Sequence, residues 1–470
     1  MKHVILGAGP AGVIAAETLR KHAPADEIVV IGDEPEAPYS RMAIPYLLIG
    51  NVGESGTHLR HSATHFADLR IDLRHGRAKS VDTAQRQVLL EDGSSVAYDR
   101  LLIATGSSPA TPPIPGIHGP GVHPCWTLVD ARAIQALATP GARVLQMGAG
   151  FIGCIIMESL ASRGVRLSVV EMGDRMVPRM MGPTAGGLIK DWCAAKGVAV
   201  YTGARVEAIE RPSAAPAPAP TEPPAHEEGL LSKIAHAFGL GHADPKPVAD
   251  APSSAEKPDA PMTVVLSTGQ RIPADLVISA TGVKPNIGFL QDSGITCLVG
   301  VLTDEHLQTS VPGIYAAGDC AEAFDKVSGK TIVSAIQPNA AEQARVAALN
   351  MVGQRTSLKG VTQINVLDTL GLISASFGNW EGVAGGEQVE LTDHPAAGGG
   401  RHLSLQFNGD CLVGCNAIGW TEHVGVMRGL VEGRVRLTPE WKQTLLADPT
   451  QLMHAYLACA QAQSAQAHVG

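Results

Sequence analysis

The sequence predicts an α/β protein made of two strand–turn–helix–strand units in series, followed by a smaller α+β part. Three observations predict it. Apolar runs that suit buried parallel strands enter glycine-rich turns at Gly7 and again at Gly148. Each turn passes into a stretch of helical periodicity and then into a second short apolar run. Near residue 327 this pattern stops, and strand-like runs with a helical tail take over. A chain of 470 residues is too long for one ordinary core and suits about three domains.

In the first unit, residues 3–9 form the strand and turn, 11–22 the helix, and 28–32 (IVVIG) the second strand. The turn reads Gly7-Ala8-Gly9-Pro10-Ala11-Gly12, a GxGxxG. Glycines there let the backbone approach a pyrophosphate, and the helix N-terminus offers free N–H groups with partial positive charge. An acid should follow at the end of the second strand to meet a ribose hydroxyl. Glu34, just past IVVIG, takes that place, with Asp33 as its rival. The second unit repeats the sequence at 143–147, 151–164 and 167–171, around Gly148-Ala149-Gly150-Phe151-Ile152-Gly153. Glu171 closes its second strand and takes the matching place. A carboxylate there disfavours a 2′-phosphate and points to NADH over NADPH, although Arg175 nearby pulls the other way. Together these are two Rossmann-like dinucleotide-binding units.

Between Arg211 and Thr263 the composition changes: residues 212–261 hold 11 of the 32 prolines. This reads as a partly extended insertion at the tip of a hairpin formed by TGARVEAIE and MTVVLSTGQRI. Within it, 229–241 (GLLSKIAHAFGLG) could place Leu230, Leu231, Ile234, Phe238 and Leu240 on one helical face, as a docking element or as plain spacer. The later runs 366–378 and 401–419 are strand-like, and a helical tail begins near Thr438.

Composition narrows the function classes. The net charge is −9 and no basic block stands out, which argues against a nucleic-acid partner. No signal region and no apolar run of membrane-spanning length is present. The eight cysteines form no CxxC pair, so neither a disulfide framework nor a zinc site is expected. These features read as a cytoplasmic protein with reduced thiols, and the sequence leaves a homo-oligomer open.

Two further segments, 98–109 (YDRLLIATGSSP) and 309–322 (TSVPGIYAAGDCAE), complete a set of four ordered motifs. With these the chain resembles the pyridine nucleotide–disulfide oxidoreductase superfamily, in its NADH:rubredoxin reductase, NADH oxidase and nitrite-reductase-like branch. The resemblance implies FAD and NADH as cofactors. It implies that Gly7, Gly9, Gly12, Glu34, Arg41 (of Pro38-Tyr39-Ser40-Arg41), Thr105, Gly106, Gly318 and Asp319 hold FAD. Gly148, Gly150, Gly153, Glu171 and Gly282 are implied for NADH. The implied domains are 1–112 with 284–326 for FAD, 113–283 for NADH, and 327–470 as a C-terminal α+β domain. Trp380 and 336–343 (IQPNAAEQ) are implied to lie near the flavin.

The sequence departs from that family pattern where thiol chemistry is expected. The CxxxxC pair is missing, Met42 stands where single-cysteine members carry a thiol, and Pro10 replaces a histidine of peroxidase members. A thioether forms neither a mixed disulfide nor a sulfenate. The lysine and glutamate that many members place beside the flavin correspond to Tyr46 and Ile155. The RPPLSK and WSDQ-like segments of monooxygenase-type ferredoxin reductases are absent. The expected activity is therefore passage of hydride from NADH to FAD and of electrons directly to a small redox protein such as a rubredoxin or ferredoxin. The alternatives are an NADH oxidase or small-molecule reductase, and a flavin-holding interaction protein with weak or no turnover. No catalytic side chain is required, and Met42, Tyr46 and Ile155 are placed near the flavin and nicotinamide by resemblance alone. Three plainer readings complete the list: Cys411 with Cys415 as buried strand residues, Cys320 as a core residue, and His61 with His65 as a surface pair rather than metal ligands.

Overall fold

The structure is a computed structural model that describes residues 1–212, 260–325, 328–361, 364–393 and 400–467. The first sheet is wholly parallel, in the order Ile314–Ala316, Arg100–Ile103, Lys2–Leu6, Glu27–Gly32, Ile71–His75. Its inner strands are buried apolar runs, as a sheet covered on both faces requires. Helix Pro10–His22 covers one face together with helix Gln337–Met351, which arrives from far along the chain. Ala11, Ala15 and Ala16 meet Ala340, Ala344, Ala347 and Ala348 in one core, where small side chains let the helices come close. Helix Gln337–Met351, which lies past the expected boundary at 326/327, shares the core of the first unit. An antiparallel ribbon of Ala78–Asp82, Gln87–Leu90 and Ser95–Ala97 covers the other face.

The second sheet runs Ala199–Thr202, Arg166–Glu171, Arg143–Met147, Leu276–Ser279, Val122–His123, again parallel. Strand Val206–Glu210 pairs antiparallel with Met262–Leu266, Glu210 lying opposite Thr263, so the chain leaves and returns at one end of a hairpin. The insertion between them, with the 229–241 segment, falls almost entirely outside the described residues. Ser107–Pro109 and Val283–Pro285 pair to carry the chain between the two parallel units.

The last sheet is antiparallel, in the order Ile364–Thr369, Leu372–Gly378, Cys411–Ile418, Arg401–Asn408, Glu387–Asp393. Alternation gives it two different faces. Ala375, Phe377, Leu403, Leu405, Phe407, Cys415 and Ala417 pack against helix Val424–Glu432 and the elements after it. The opposite face carries Ser374, Ser376, Ser404, Gln406 and Asn416, all buried. Among the described residues no helix is long and apolar enough to cross a membrane.

Candidate functional site

The two glycine turns are built alike, and in each the three glycines divide their work. A Cβ on Gly7, at φ +113°, would collide with the Ala104 carbonyl oxygen, and one on Gly12 would collide with the oxygen of Gly7. Those two positions need glycine for packing. Gly9 has ordinary backbone angles (φ −77°) and nothing within 4 Å of where its Cβ would stand. In the second turn, Gly148 and Gly153 are hemmed in by the oxygens of Ala280 and Gly148, while Gly150 again opens on empty space. Each middle glycine is followed by a helix whose start has no side-chain cap and no acid in its first turn. An uncapped helix start leaves N–H groups and partial positive charge for an external anion.

The first turn floors a cleft of about 1480 Å³ empty volume, open to solvent. Gly7, Gly9, Glu34, Arg41, Thr105, Gly106, Gly318 and Asp319 line it, and so do Met42 and Ile155. Phe151, Ile152 and Ile155 line it from the helix that follows the second turn, so both units meet at one cavity. Gly12 lies behind the turn, and Gly148, Gly150, Gly153, Glu171 and Gly282 belong to the second unit outside the lining. Tyr46 does not line the cleft and is 56% exposed. The cause is helical phase. In helix Ile44–Ile49 the buried residues are Ile44, Leu47 and Leu48, so Tyr46 falls on the outer side. Trp380 also lies outside the lining, whereas Gln337 and Ala340 of the 336–343 stretch are in it.

Side chains around the first turn are tied into one network. Glu34 accepts from the Tyr39 hydroxyl at 2.6 Å and from the Arg41 guanidinium at 2.6 Å. Arg41 also donates to the Trp126 carbonyl at 2.8 Å and lies over the Tyr39 and Trp126 rings, 5.6 and 5.4 Å from their centres. Burial, and then Glu34, push the Tyr39 phenol well above its usual range. Asp33 lines the same cleft but faces the exposed Arg77, at 3.8 Å. Asp319 accepts from the Ser107 hydroxyl at 2.8 Å. Its burial raises the carboxyl pKa, opposed by that hydrogen bond and by the charge of Arg41. The Gly318 N–H donates to Gln343 Oε1 at 2.7 Å, while the buried Gln343 Nε2 has no partner among the described residues. Thr105 and Asn286 are zipped together: the Thr105 hydroxyl donates to the Asn286 carbonyl at 2.8 Å, and Asn286 Nδ2 to the Thr105 carbonyl at 2.9 Å.

Gln343 closes the 336–343 stretch that the resemblance places near the flavin, whereas Trp126 carried no signal in the sequence and reaches the site only through pairings across the fold. Cys125 is a second such residue, a thiol lining the cleft. Burial and then Asp130 push it up to about 12, so it stays protonated at neutral pH and is a poor nucleophile. At the second turn, Glu171 accepts from the N–H groups of Ala149 and Gly173, both at 2.8 Å. Arg175 is tied to its own loop: it donates to the Met181 carbonyl at 2.9 Å and pairs with Asp174 at 2.7 Å.

Cys320 is fully buried, its thiol directed at the Ile103 and Ala317 carbonyls. Cys411 and Cys415 are free thiols; Cys415 is fully buried, but Cys411, the first residue of its strand, is only partly so, which corrects the reading of both as buried. His65 bonds Glu17 at 2.8 Å beside Arg60. Among the described residues no cluster of three metal-ligating side chains occurs.

The residues present fit a dinucleotide in the first turn, since Gly9 opens on space, the helix start is uncapped and Gln343 holds an unpaired buried donor behind Gly318. A family model described as pyridine nucleotide-disulphide oxidoreductase matches residues 1–219 and 249–347. The epsilon subunit of an NADH-dependent phenylglyoxylate dehydrogenase from Aromatoleum evansii is 29% identical over 442 residues, covering 93% of each chain. The ferredoxin–NAD(+) reductase component of the biphenyl dioxygenase system from Paraburkholderia xenovorans is 28% identical over 96% of this chain and 98% of its own. In a covalent putidaredoxin reductase–putidaredoxin complex, the matching solved structure has a TM-score of 0.78 at 22% identity, over 97% of this chain and 99% of that one.

Proposed function

Since the chain belongs to the pyridine nucleotide-disulphide oxidoreductase family, we infer that it is an FAD-dependent NADH oxidoreductase that passes electrons to a small redox protein. The observation that carries this reading is the meeting, at one cleft, of the first uncapped glycine turn as its floor and the helix that follows the second as its wall. FAD, when bound, supplies the chemistry that no side chain here offers: it takes a hydride from NADH and gives electrons up singly.

The chain's own residues bind and orient. Gly7, Gly9 and Gly12 set the first turn for the FAD pyrophosphate, with Glu34, Arg41, Thr105, Gly106, Gly318 and Asp319 around it. Gly148, Gly150, Gly153, Glu171 and Gly282 serve NADH in the same way. The apolar side chains of Met42, Phe151, Ile152 and Ile155 keep water from the meeting point of the two cofactors. We assign residues 1–112 and 284–326, extended by helix Gln337–Met351, to the FAD unit, 113–283 to the NADH unit, and the rest to the C-terminal unit.

Electrons leave without a thiol relay. Met42 cannot form one, and burial keeps Cys125, the only thiol lining the cleft among the described residues, protonated. A one-electron protein acceptor suits this, in line with a relative that is the reductase component for a ferredoxin. Eight free cysteines suit a reducing cytoplasmic setting.

The test is stopped-flow absorbance on FAD-loaded protein reduced anaerobically with one equivalent of NADH and then mixed with air-saturated buffer or with a ferredoxin. Fast bleaching, slow recovery in air and fast recovery with ferredoxin are expected. Fast recovery in air makes the protein an NADH oxidase, and failure to bleach ends the reading. Faster bleaching with NADPH than with NADH overturns the choice of nucleotide.

A further inference from the structure

The buried polar face of the C-terminal sheet is not explained by packing, because burying unpaired polar groups costs free energy. One residue on it reaches into the second unit. Asn416 is 2% exposed; its Nδ2 donates to the Met180 carbonyl at 2.9 Å, and its Oδ1 accepts from the Gly182 N–H at 2.8 Å. Both ends of its amide thus grip the close of a loop that begins at Glu171.

That loop returns to the second glycine turn. The Val177 N–H donates to the Ala149 carbonyl at 2.9 Å, while the Ala149 N–H donates to Glu171 at 2.8 Å. The peptides on both sides of Ala149, the second residue of the turn, are therefore held: one by the acid, the other by the loop. Val177 is buried and sits at φ +50°, where a β-branched residue persists only if its surroundings over-determine it. Its carbonyl accepts from Met180 and Met181 at 2.9 and 3.0 Å. The residues Asn416 grips are thus those that close the turn presenting the Val177 N–H.

We propose that Asn416 is a positioning residue for NADH: from the C-terminal sheet it fixes the 177–182 turn, and through Val177 the Ala149 peptide. This rests on the reading that Gly148–Gly153 and Glu171 bind NADH. Without Asn416 the Met180 carbonyl and Gly182 N–H lose their partner, Val177 relaxes from its strained angle, and the turn loses one of its two holds.

The experiment compares Asn416→Ala, Asn416→Asp and Glu171→Ala with the unaltered FAD-loaded protein, using NADH as donor and ferricyanide as acceptor. Asn416→Ala is expected to raise the NADH KM about tenfold, the cost of stranding buried backbone groups, with kcat and the flavin spectrum unchanged. Asn416→Asp carries the sharper signature. A buried aspartate has a raised pKa. Ionised, it repels the Met180 carbonyl; protonated, it donates to it. Its KM should therefore fall toward the unaltered value as the buffer is taken from mildly alkaline to mildly acidic. The titratable and charged groups of the elements packed against it are Glu171, Asp174, Arg175 and Arg179 on the loop, Lys190 and Asp191 on helix Pro183–Ala195, and His402 on the adjacent strand, and they are common to the unaltered protein and Asn416→Ala. Those two show no such fall. A normal KM for Asn416→Ala, or an Asn416→Asp profile parallel to that of Asn416→Ala, overturns the proposal. If Glu171→Ala alone raises KM, the site stands and only Asn416's role fails; if Glu171→Ala also leaves KM unchanged, the placement of NADH is wrong.

Discussion

Substituting Gly9 by alanine separates cofactor binding from folding. No atom lies within 4 Å of the added Cβ, and φ −77° suits alanine. Restricting the unfolded chain stabilises by about 0.4–1 kcal/mol, while alanine is a poorer helix cap than glycine by a comparable amount. The apoprotein should change by less than about 1 kcal/mol, a Tm shift within roughly 2–4 °C for a large domain. The methyl group instead fills space through which the turn meets a phosphate. Losing one charge-assisted hydrogen bond, about 1.5–3 kcal/mol, weakens FAD roughly 10- to 100-fold. Gly12→Ala is the contrast. Its Cβ collides with the backbone oxygen of Gly7, which no rotamer can move, so the apoprotein itself should lose about 1–3 kcal/mol or more. Thermal melts of the apoproteins and FAD titrations followed by flavin fluorescence measure both. Unaltered FAD affinity in Gly9→Ala, or an apoprotein melting as low as Gly12→Ala, would refute the division of labour among the three glycines.

Three further outcomes follow from the same geometry. Gly150→Ala, equally unobstructed, should raise the NADH KM while FAD affinity holds, read by steady-state kinetics beside flavin titration. Cys125→Ser should leave the rate of flavin bleaching by NADH unchanged, because the buried thiol is protonated at neutral pH; a large loss in stopped-flow absorbance would restore a thiol step. His3 is fully buried, and burial holds its pKa below the imidazole value against the pull of Asp26. Below about pH 6.5 the unfolded chain takes up a proton that the folded one resists, so stability is level above that pH and falls as pH drops through it. Urea unfolding on both sides of that pH should show a shallower pH slope for His3→Leu; His402, whose pKa burial also lowers, contributes to the slope that remains.

What the sequence made legible was local. A glycine turn is dictated by atoms close together along the chain, as the collision of a Gly12 Cβ with Gly7 illustrates, so both turns could be read directly. What it hid was either helical phase or distance along the chain. Alignment with a lysine places Tyr46 at the cleft, yet Ile44, Leu47 and Leu48 at spacings of three and four already mark the opposite side of that helix as outward. Helix Gln337–Met351 falls beyond the boundary that the motifs suggest, because its alanine face finds its counterpart in Ala11, Ala15 and Ala16, near the other end of the chain.

Arg41 shows how resemblance and geometry combine. Resemblance puts it beside the FAD pyrophosphate, whereas its guanidinium is already bound to Glu34, Tyr39 and the Trp126 carbonyl. These are compatible, because a guanidinium has five N–H donors and only three hydrogen bonds are in use. The ion pair with Glu34 then fixes the direction of the remaining donors rather than competing for them. An arginine preorganised in this way loses less side-chain freedom on binding than a lysine would. Arg41→Lys, which keeps the charge and loses the fork, should therefore weaken FAD nearly as much as Arg41→Ala. If lysine restores most of the affinity in the flavin titration, charge alone suffices and the Glu34–Tyr39–Trp126 framework serves folding rather than binding.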